Sequence, residues 1–265
     1  MTYKKVPMDV TSRASTISNW PVVHSSMIPN QVLNFYGTDS QERYIENLKD
    51  KEWSYKDSII SYVFNNQGLR MHKNIEDVSK DYFISFGCSN TVGIGLALED
   101  TWPYQVSKNC GIDYINSAVV GSSVKLNCIN FFNMLNTVDY LPKAVIFAWP
   151  NSARYAFYNS KEFLFYLPNH IPLDSKFKKF NSVYQELLSM DFNIHEAAIY
   201  RNMIKTTCQR IGINYIDFSF ENDEFTRLEN VTTISSDRPD YARDCSHYGI
   251  VHHNNAVQLI EQFLI

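Results

Sequence analysis

The feature that most constrains this chain is a run of six apolar residues, Ala144-Val145-Ile146-Phe147-Ala148-Trp149, set between Lys143 and Pro150. A strand half exposed to water alternates apolar and polar side chains, whereas one that is apolar at every position needs cover on both faces. Helices on both sides of a parallel sheet supply that cover, because parallel strands require long, usually helical, crossover connections. Tyr82-Phe83-Ile84-Ser85-Phe86 is apolar but for Ser85 and is also expected as a strand, as are 112–119 and 214–218. Between them, Val124, Leu126, Cys128, Ile129, Phe132 and Leu135 predict a helix over 122–136, and a further helix is expected near 102–109. Ile194, Ala197, Ala198, Ile204 and Cys208 place a helix in 182–210, interrupted near Asp191-Phe192-Asn193 and stopped by Gly212. Ala256, Val257, Ile260, Phe263 and Leu264 give the last helix a single apolar face. Strands alternating with helices from 81 to 265 predict an α/β fold: a three-layer α/β/α sandwich with a mostly parallel central sheet.

Residues 1–80 have a different character and read as an N-terminal extension packed on the main domain. The first 30 are rich in Ser, Thr, Pro and Met without periodicity, as in an extended arm. Aromatics then recur at Phe35, Tyr36, Tyr44, Trp53, Tyr55, Tyr62 and Phe64. A short helix is expected over 41–51 and a strand over 58–64, closed by the turn Asn65-Asn66-Gln67-Gly68. Residues 151–178 read as an aromatic loop or lid, and 221–243 as a polar loop.

A net charge of −4 without a basic block argues against a nucleic-acid partner. No run approaches the roughly 20 apolar residues of a membrane span. Met1-Thr2-Tyr3-Lys4-Lys5 is not followed by the apolar core of a signal peptide, so a soluble, cytoplasmic protein is expected. Five cysteines, an odd number without C-x-x-C spacing, read as mostly free thiols, which favours a reducing compartment. His252 and His253 stand near His247 and Asp244, but neighbours on a helix point about 100° apart and do not share one ion easily. Neither a metal nor a cofactor is therefore expected.

Ligands of an open parallel sheet bind beyond the carboxyl ends of its strands. The first strand ends in Gly87-Cys88-Ser89, the second near Asn116 to Gly121, the third at Pro150-Asn151, and Asp244-Cys245-Ser246-His247 precedes the last helix. Together these supply a nucleophile, a base, an orienting acid and oxyanion donors. Each residue also has a plainer role: Ser89 as a turn serine, His247 as a helix-start histidine, Asp244 as a helix cap, Gly121 as a tight turn, Asn151 as a loop cap. Their joint presence favours chemistry. Cys88, next to Ser89 at a strand end, is expected to point the other way and to pack.

These blocks resemble those of the SGNH (GDSL-type) hydrolases: Gly87-Cys88-Ser89 with Asn90-Thr91, then Asn116 through Gly121, then Asn151, then Asp244-x-x-His247. The resemblance spans about residues 82–265 and implies the flavodoxin-like fold of that family. It implies Ser89 as nucleophile, His247 as general base and Asp244 as the acid that orients it. The oxyanion would be held by the N–H groups of Ser89 and Gly121 and by the Asn151 side chain, with Trp149, Arg154 and Tyr155 lining the substrate site. Two blocks depart from the family pattern: Cys88 stands where aspartate is usual, and Trp149-Pro150-Asn151-Ser152 replaces Gly-x-Asn-Asp. The implied activity is a serine esterase acting on small acyl esters, among them carbohydrate O-acetyl groups, through an acyl-serine. A degenerate glycan-binding or structural module and an O-acyltransferase with the same triad are the alternatives.

Overall fold

The computed structural model describes residues 14–16, 29–50, 52–158, 162–166, 186–187, 190–234 and 240–264. Five parallel strands form the central sheet: β1 (Tyr82–Phe86), β2 (Asp113–Asn116), β3 (Ala144–Trp149), β4 (Asn214–Ser219) and β5 (Thr232–Thr233). Their spatial order is β2-β1-β3-β4-β5, that of a flavodoxin-like sheet. Every residue of β1 and β3 is buried, as the unbroken apolar sequence of β3 requires; in β1 the one polar residue, Ser85, is buried with its hydroxyl bonded to Asn116. A short helix, α1 (Ser89–Val92), follows β1. Helix α2 (Trp102–Cys110) leads into β2, and α3 (Val124–Leu135) leads from β2 back across β1 to β3. Right-handed crossovers running in opposite directions put α2 and α3 on opposite faces. Helix α4 (Phe192–Ile211) packs beside α3, and α6 (Ile250–Leu264) beside α2, with α5 (Glu224–Leu228) between β4 and β5. Because the chain leaves β1 toward β2 on one side and returns to β3 on the other, the loops after β1 and β3 diverge. The crevice between them is where such sheets hold ligands.

Several expected boundaries shift. The second strand keeps only Asp113–Asn116 of the expected 112–119, because Asn116 turns its side chain back onto the backbone N–H of Ala118 (3.3 Å). The polar loop over 221–243 contains both α5 and the fifth strand, β5; Asp223 starts α5 through a capping box with Thr226. In the expected loop 151–178, Tyr155–Tyr158 and Glu162–Tyr166 instead form an antiparallel hairpin, which Ala14–Thr16 of the expected arm joins as a third strand. The rest of the arm up to residue 28, and residues 167–185, lie outside the described residues. Among the described residues no helix is long and apolar enough to cross a membrane, and all five cysteines are free thiols.

The extension is folded onto the strand ends. Its helix, Gln41–Asn47, is shorter than expected, and its strand is confined to Tyr62–Val63, paired with Val32–Leu33. Aromatics carry the packing. Tyr36, Trp53, Tyr55, Ile60, Tyr62 and Phe64 form a second core with Val92 at the end of α1, with Ile94 and Leu96 just after it, and with Ala118 and Ala242. A polar network runs through it. Arg243 donates to Asp39 at 2.7 Å, and both side chains are almost wholly buried, at 3% and 1% exposure. The guanidinium also donates to the carbonyls of Asn34 and Ser58. Tyr62 donates its hydroxyl to Asp39 and accepts the N–H of Gly95 (2.7 Å), while buried Arg70 donates to the carbonyls of Val92, Gly93 and Leu96. Gly95 is needed here: its φ is +79°, and a Cβ would lie 2.7 Å from that of Ala242.

Removing one partner of a buried ion pair strands the other charge, whereas an exposed pair contributes little. Asp39→Ala is expected to cost about 3–5 kcal/mol in urea unfolding. The same change at Asp81, whose pair with Lys143 is more than half exposed, should cost under about 1 kcal/mol.

Candidate active site

Strand β1 delivers Ser89 through a turn that tolerates no side chain at Gly87. A Cβ there would sit 2.1 Å from Thr91 Oγ1 and 3.0 Å from the carbonyl of Ala148 on β3. Cys88 caps α1 and is buried, and Ser89 is the first helical residue. The Ser89 carbonyl accepts the N–H groups of Gly93 and Ile94. Its hydroxyl and its own N–H have no hydrogen-bond partner among the described residues. Asn116, at the end of β2, fixes this corner by accepting from Ser85 Oγ (3.2 Å) and donating to the Thr91 carbonyl (3.2 Å).

Asp244 and His247 lie on a tight loop ahead of α6. Oδ1 of Asp244 accepts the backbone N–H groups of Ser246 and His247, at 3.0 and 3.1 Å. Its Oδ2 lies 2.6 Å from His247 Nδ1, which leaves Nε2 as the outward end of the ring. The Asp244 side chain is fully buried and that of His247 is 14% exposed. Asp244 does not cap α6 as its plainer role would have it; Asp240 accepts the N–H of Val251 instead. Two backbone contacts dock the loop against the turn that bears Ser89: Arg243 N–H donates to the Gly95 carbonyl (2.9 Å), and Tyr248 N–H to Asn90 Oδ1 (3.3 Å). Among the described residues no hydrogen bond joins Ser89 to His247.

Burial by itself would raise the Asp244 carboxyl. The hydrogen bond and charge of His247, then the Thr38 hydroxyl (2.5 Å) and the Ser246 N–H, outweigh it and hold the group at about 2. The carboxylate is therefore ionised at any working pH.

The expected oxyanion donors sit beyond the carboxyl ends of three adjacent strands. Gly121 follows β2 with φ +71°, Ser89 follows β1, and Asn151 follows β3. Asn151 Oδ1 is taken by the N–H of Ala153 (2.9 Å), whereas its amide nitrogen and the N–H of Gly121 have no protein acceptor among the described residues. Of the expected lining residues, Trp149 belongs to the core: it is 2% exposed, its indole donates to Asp217 (2.9 Å), and its ring stacks on Phe147. Arg154 pairs with Glu221 at 2.8 Å. Burial opposes its charge, but adjacent Cys88 and then Glu221 outweigh this and raise its pKa. Tyr155 opens the strand of the hairpin.

A cavity of about 630 Å³ opens elsewhere, beside Tyr82 at the opposite end of β1, lined by Gln67, Glu76, Asp139 and Tyr140 among others, and it touches none of these residues. Among the described residues no three His, Cys, Asp or Glu side chains are grouped to hold a metal ion. Sequence reasoning missed Thr38, which meets Asp244 from 206 positions away. It also missed Arg243, whose one signal was its place directly before Asp244.

No family model and no curated protein matches this chain. Among solved structures it is similar to one titled TesA, with 11% identity, TM-score 0.45, and 69% of this chain and 98% of that one covered. A member of the lipolytic G-D-S-L family from Veillonella parvula shows 15% identity and TM-score 0.35, covering 68% and 96%. A GDSL-like lipase from Bacteroides thetaiotaomicron shows 11% identity and TM-score 0.31, covering 73% and 91%. Every one of these TM-scores is below 0.5, and the fold is read from the chain's own strand order.

Asp244 has a folded pKa near 2 against an ordinary 3.8, so it contributes stability that is complete above about pH 4 and lost as pH falls toward 2. The contribution is on the order of 2 kcal/mol. In urea unfolding at a series of acid pH values, Asp244→Asn should lose less stability between pH 5 and pH 2 than the wild type by about that amount.

Proposed function

We propose that the chain is a serine ester hydrolase of the SGNH type. The observation that carries this is the buried Asp244 carboxylate bonded to His247 Nδ1 at 2.6 Å, on a loop docked against the turn that bears Ser89. A serine hydroxyl becomes an effective nucleophile when a neighbouring base takes its proton. With Nδ1 committed to Asp244, Nε2 is the base. An ester bound in the crevice between the loops after β1 and β3 is attacked by Ser89 Oγ while the proton passes to Nε2. The oxyanion that forms accepts from the N–H groups of Ser89 and Gly121 and from Asn151 Nδ2. Collapse breaks the ester C–O bond; the alcohol leaves with the proton from Nε2, and the acyl group stays on Ser89. Water, activated by the same histidine, then releases the acid. The reaction needs Oγ and Nε2 within about 3 Å once substrate is bound, a contact that commonly tightens only in the complex.

Small acyl esters, and carbohydrate O-acetyl groups in particular, are the proposed substrates. Replacing water by a sugar hydroxyl in the second half-reaction would make the protein an O-acyltransferase with the same residues. A second reading, a glycan-binding or structural module without turnover, is favoured by the lack of a direct Ser89–His247 bond and by the altered blocks at Cys88 and at Trp149 to Ser152.

Hydrolysis of p-nitrophenyl acetate and labelling by a fluorophosphonate separate these. Ser89→Ala and His247→Ala are expected to lower kcat/KM by at least about 10³-fold and to abolish labelling. Asn151→Ala should lower kcat by about 10²–10³-fold. A wild type that neither labels nor exceeds the two alanine variants removes the hydrolase.

A further inference from the structure

We propose that Thr38, carried by the N-terminal extension, is the positioning residue for the Asp244–His247 pair, so that the extension completes the site. Its catalytic consequence rests on the esterase assignment above; its effect on the imidazole does not.

Both oxygens of the Asp244 carboxylate are engaged. Oδ1 accepts two backbone N–H groups, and Oδ2 accepts from His247 Nδ1 at 2.6 Å and from Thr38 Oγ1 at 2.5 Å. Four donors thus occupy a carboxylate whose side chain is fully buried. Without the Thr38 hydroxyl, Oδ2 of a carboxylate whose side chain is fully buried loses one of its two donors.

The threonine also bears on the histidine directly. A hydroxyl has one proton, and an ionised carboxylate only accepts, so the Thr38 proton lies toward Oδ2. Toward His247 Nδ1, 3.4 Å away, Oγ1 then presents only a lone pair. Nδ1 faces two acceptors, a strong one on Asp244 and a weaker one on Thr38, and is therefore the protonated nitrogen. The free lone pair falls on Nε2, as a general base requires.

The fold presents Thr38 for this purpose at a rigid point. Tyr36 and Asp39 exchange backbone hydrogen bonds at 2.9 and 3.1 Å, closing a two-residue turn in which Gly37 takes φ +63° and Thr38 is the second residue. Asp39, next in sequence, holds Arg243, and Thr38 holds Asp244: two consecutive residues of the extension grip two consecutive residues of the loop. Arg43 Nη1 to Ser246 Oγ (2.7 Å) and Asn47 Nδ2 to the Arg243 carbonyl (3.1 Å) add two further ties from the same segment.

The test compares Thr38→Val, which keeps the shape and loses the hydroxyl, with Thr38→Ser, which keeps the hydroxyl. With p-nitrophenyl acetate, Thr38→Val should lower kcat by about 10- to 100-fold with KM within about two-fold, and Thr38→Ser should recover kcat to within about three-fold of wild type. Imidazole ¹⁵N and Nδ1-bound ¹H shifts of His247 should show the proton on Nδ1 in all three proteins, held there by Asp244, with the Nδ1–H signal sharp in wild type and Thr38→Ser but shifted and exchange-broadened in Thr38→Val, where the carboxylate has lost its anchor. Equal kcat in wild type and Thr38→Val, or Thr38→Ser as impaired as Thr38→Val, overturns the positioning role. If Thr38→Val does not fold, Thr38→Ala replaces it in the same comparison. If Ser89→Ala turns over ester as fast as wild type, the esterase assignment fails instead. The imidazole spectra then decide Thr38 alone, and identical spectra in all variants refute it.

Discussion

The buried ion pair of Asp39 and Arg243 is the contact on which the site depends. Arg243 is flanked by Ala242, which packs against Gly95, and by Asp244, which holds the imidazole. A charge this deeply buried is tolerated only when its partner and its remaining donors are satisfied. Asp39 and the carbonyls of Asn34 and Ser58, all from the extension, supply the partner charge and accept from each of the three guanidinium nitrogens. The loop bearing the acid and base is therefore shaped between two surfaces, the turn behind α1 on one side and the extension on the other.

The same logic explains why the extension is aromatic. The chain beyond β1 and β2 places Val92, Ile94, Leu96 and Ala118 above the strand ends, where of the sandwich's long helices α6 touches the cluster with its first residue, Ile250. Tyr36, Trp53, Tyr55 and Phe64 cover that apolar surface with large rings, and Tyr62 adds a hydroxyl that ties Gly95 to Asp39. Burying aromatic area of this kind contributes a few kcal/mol per ring and lets a polar network persist inside it. Arg70, stacked on Tyr62 at 4.3 Å, closes the last open carbonyls of the turn after α1.

Much of the main domain was legible because its signals are local. The unbroken apolar run of β3, and β1 with Ser85 as its one polar residue, required cover on two faces, and helical spacing in 124–135 and 250–264 supplied it. The break near Asp191 was legible too, and Asp191 takes φ +57° at the start of α4. Weaker signals failed where pairing is decided by a neighbour. Thr232–Thr233 is a strand only because β4 offers it an edge, and the aromatic stretch after Asn151 becomes a hairpin through its own cross-strand register. The misplaced Trp149 has the same origin. At a strand end, one residue faces the crevice and the next the core, and the Asp217–Arg201 pair on the neighbouring elements draws the indole inward.

By itself the sequence determined the layers, because periodicity records which faces must avoid water, and it determined which residue types gather at the carboxyl ends of the strands. Asp244 and His247 are three residues apart, so their pairing was within local reach. What only the tertiary structure decided is the support around them. Thr38 and Asp39 meet Asp244 and Arg243 across more than 200 positions, by a contact that leaves no periodic trace in either segment. The direction in which each rim side chain points was likewise settled by packing, since one apolar residue serves equally well in a core or along a crevice until its neighbours are in place.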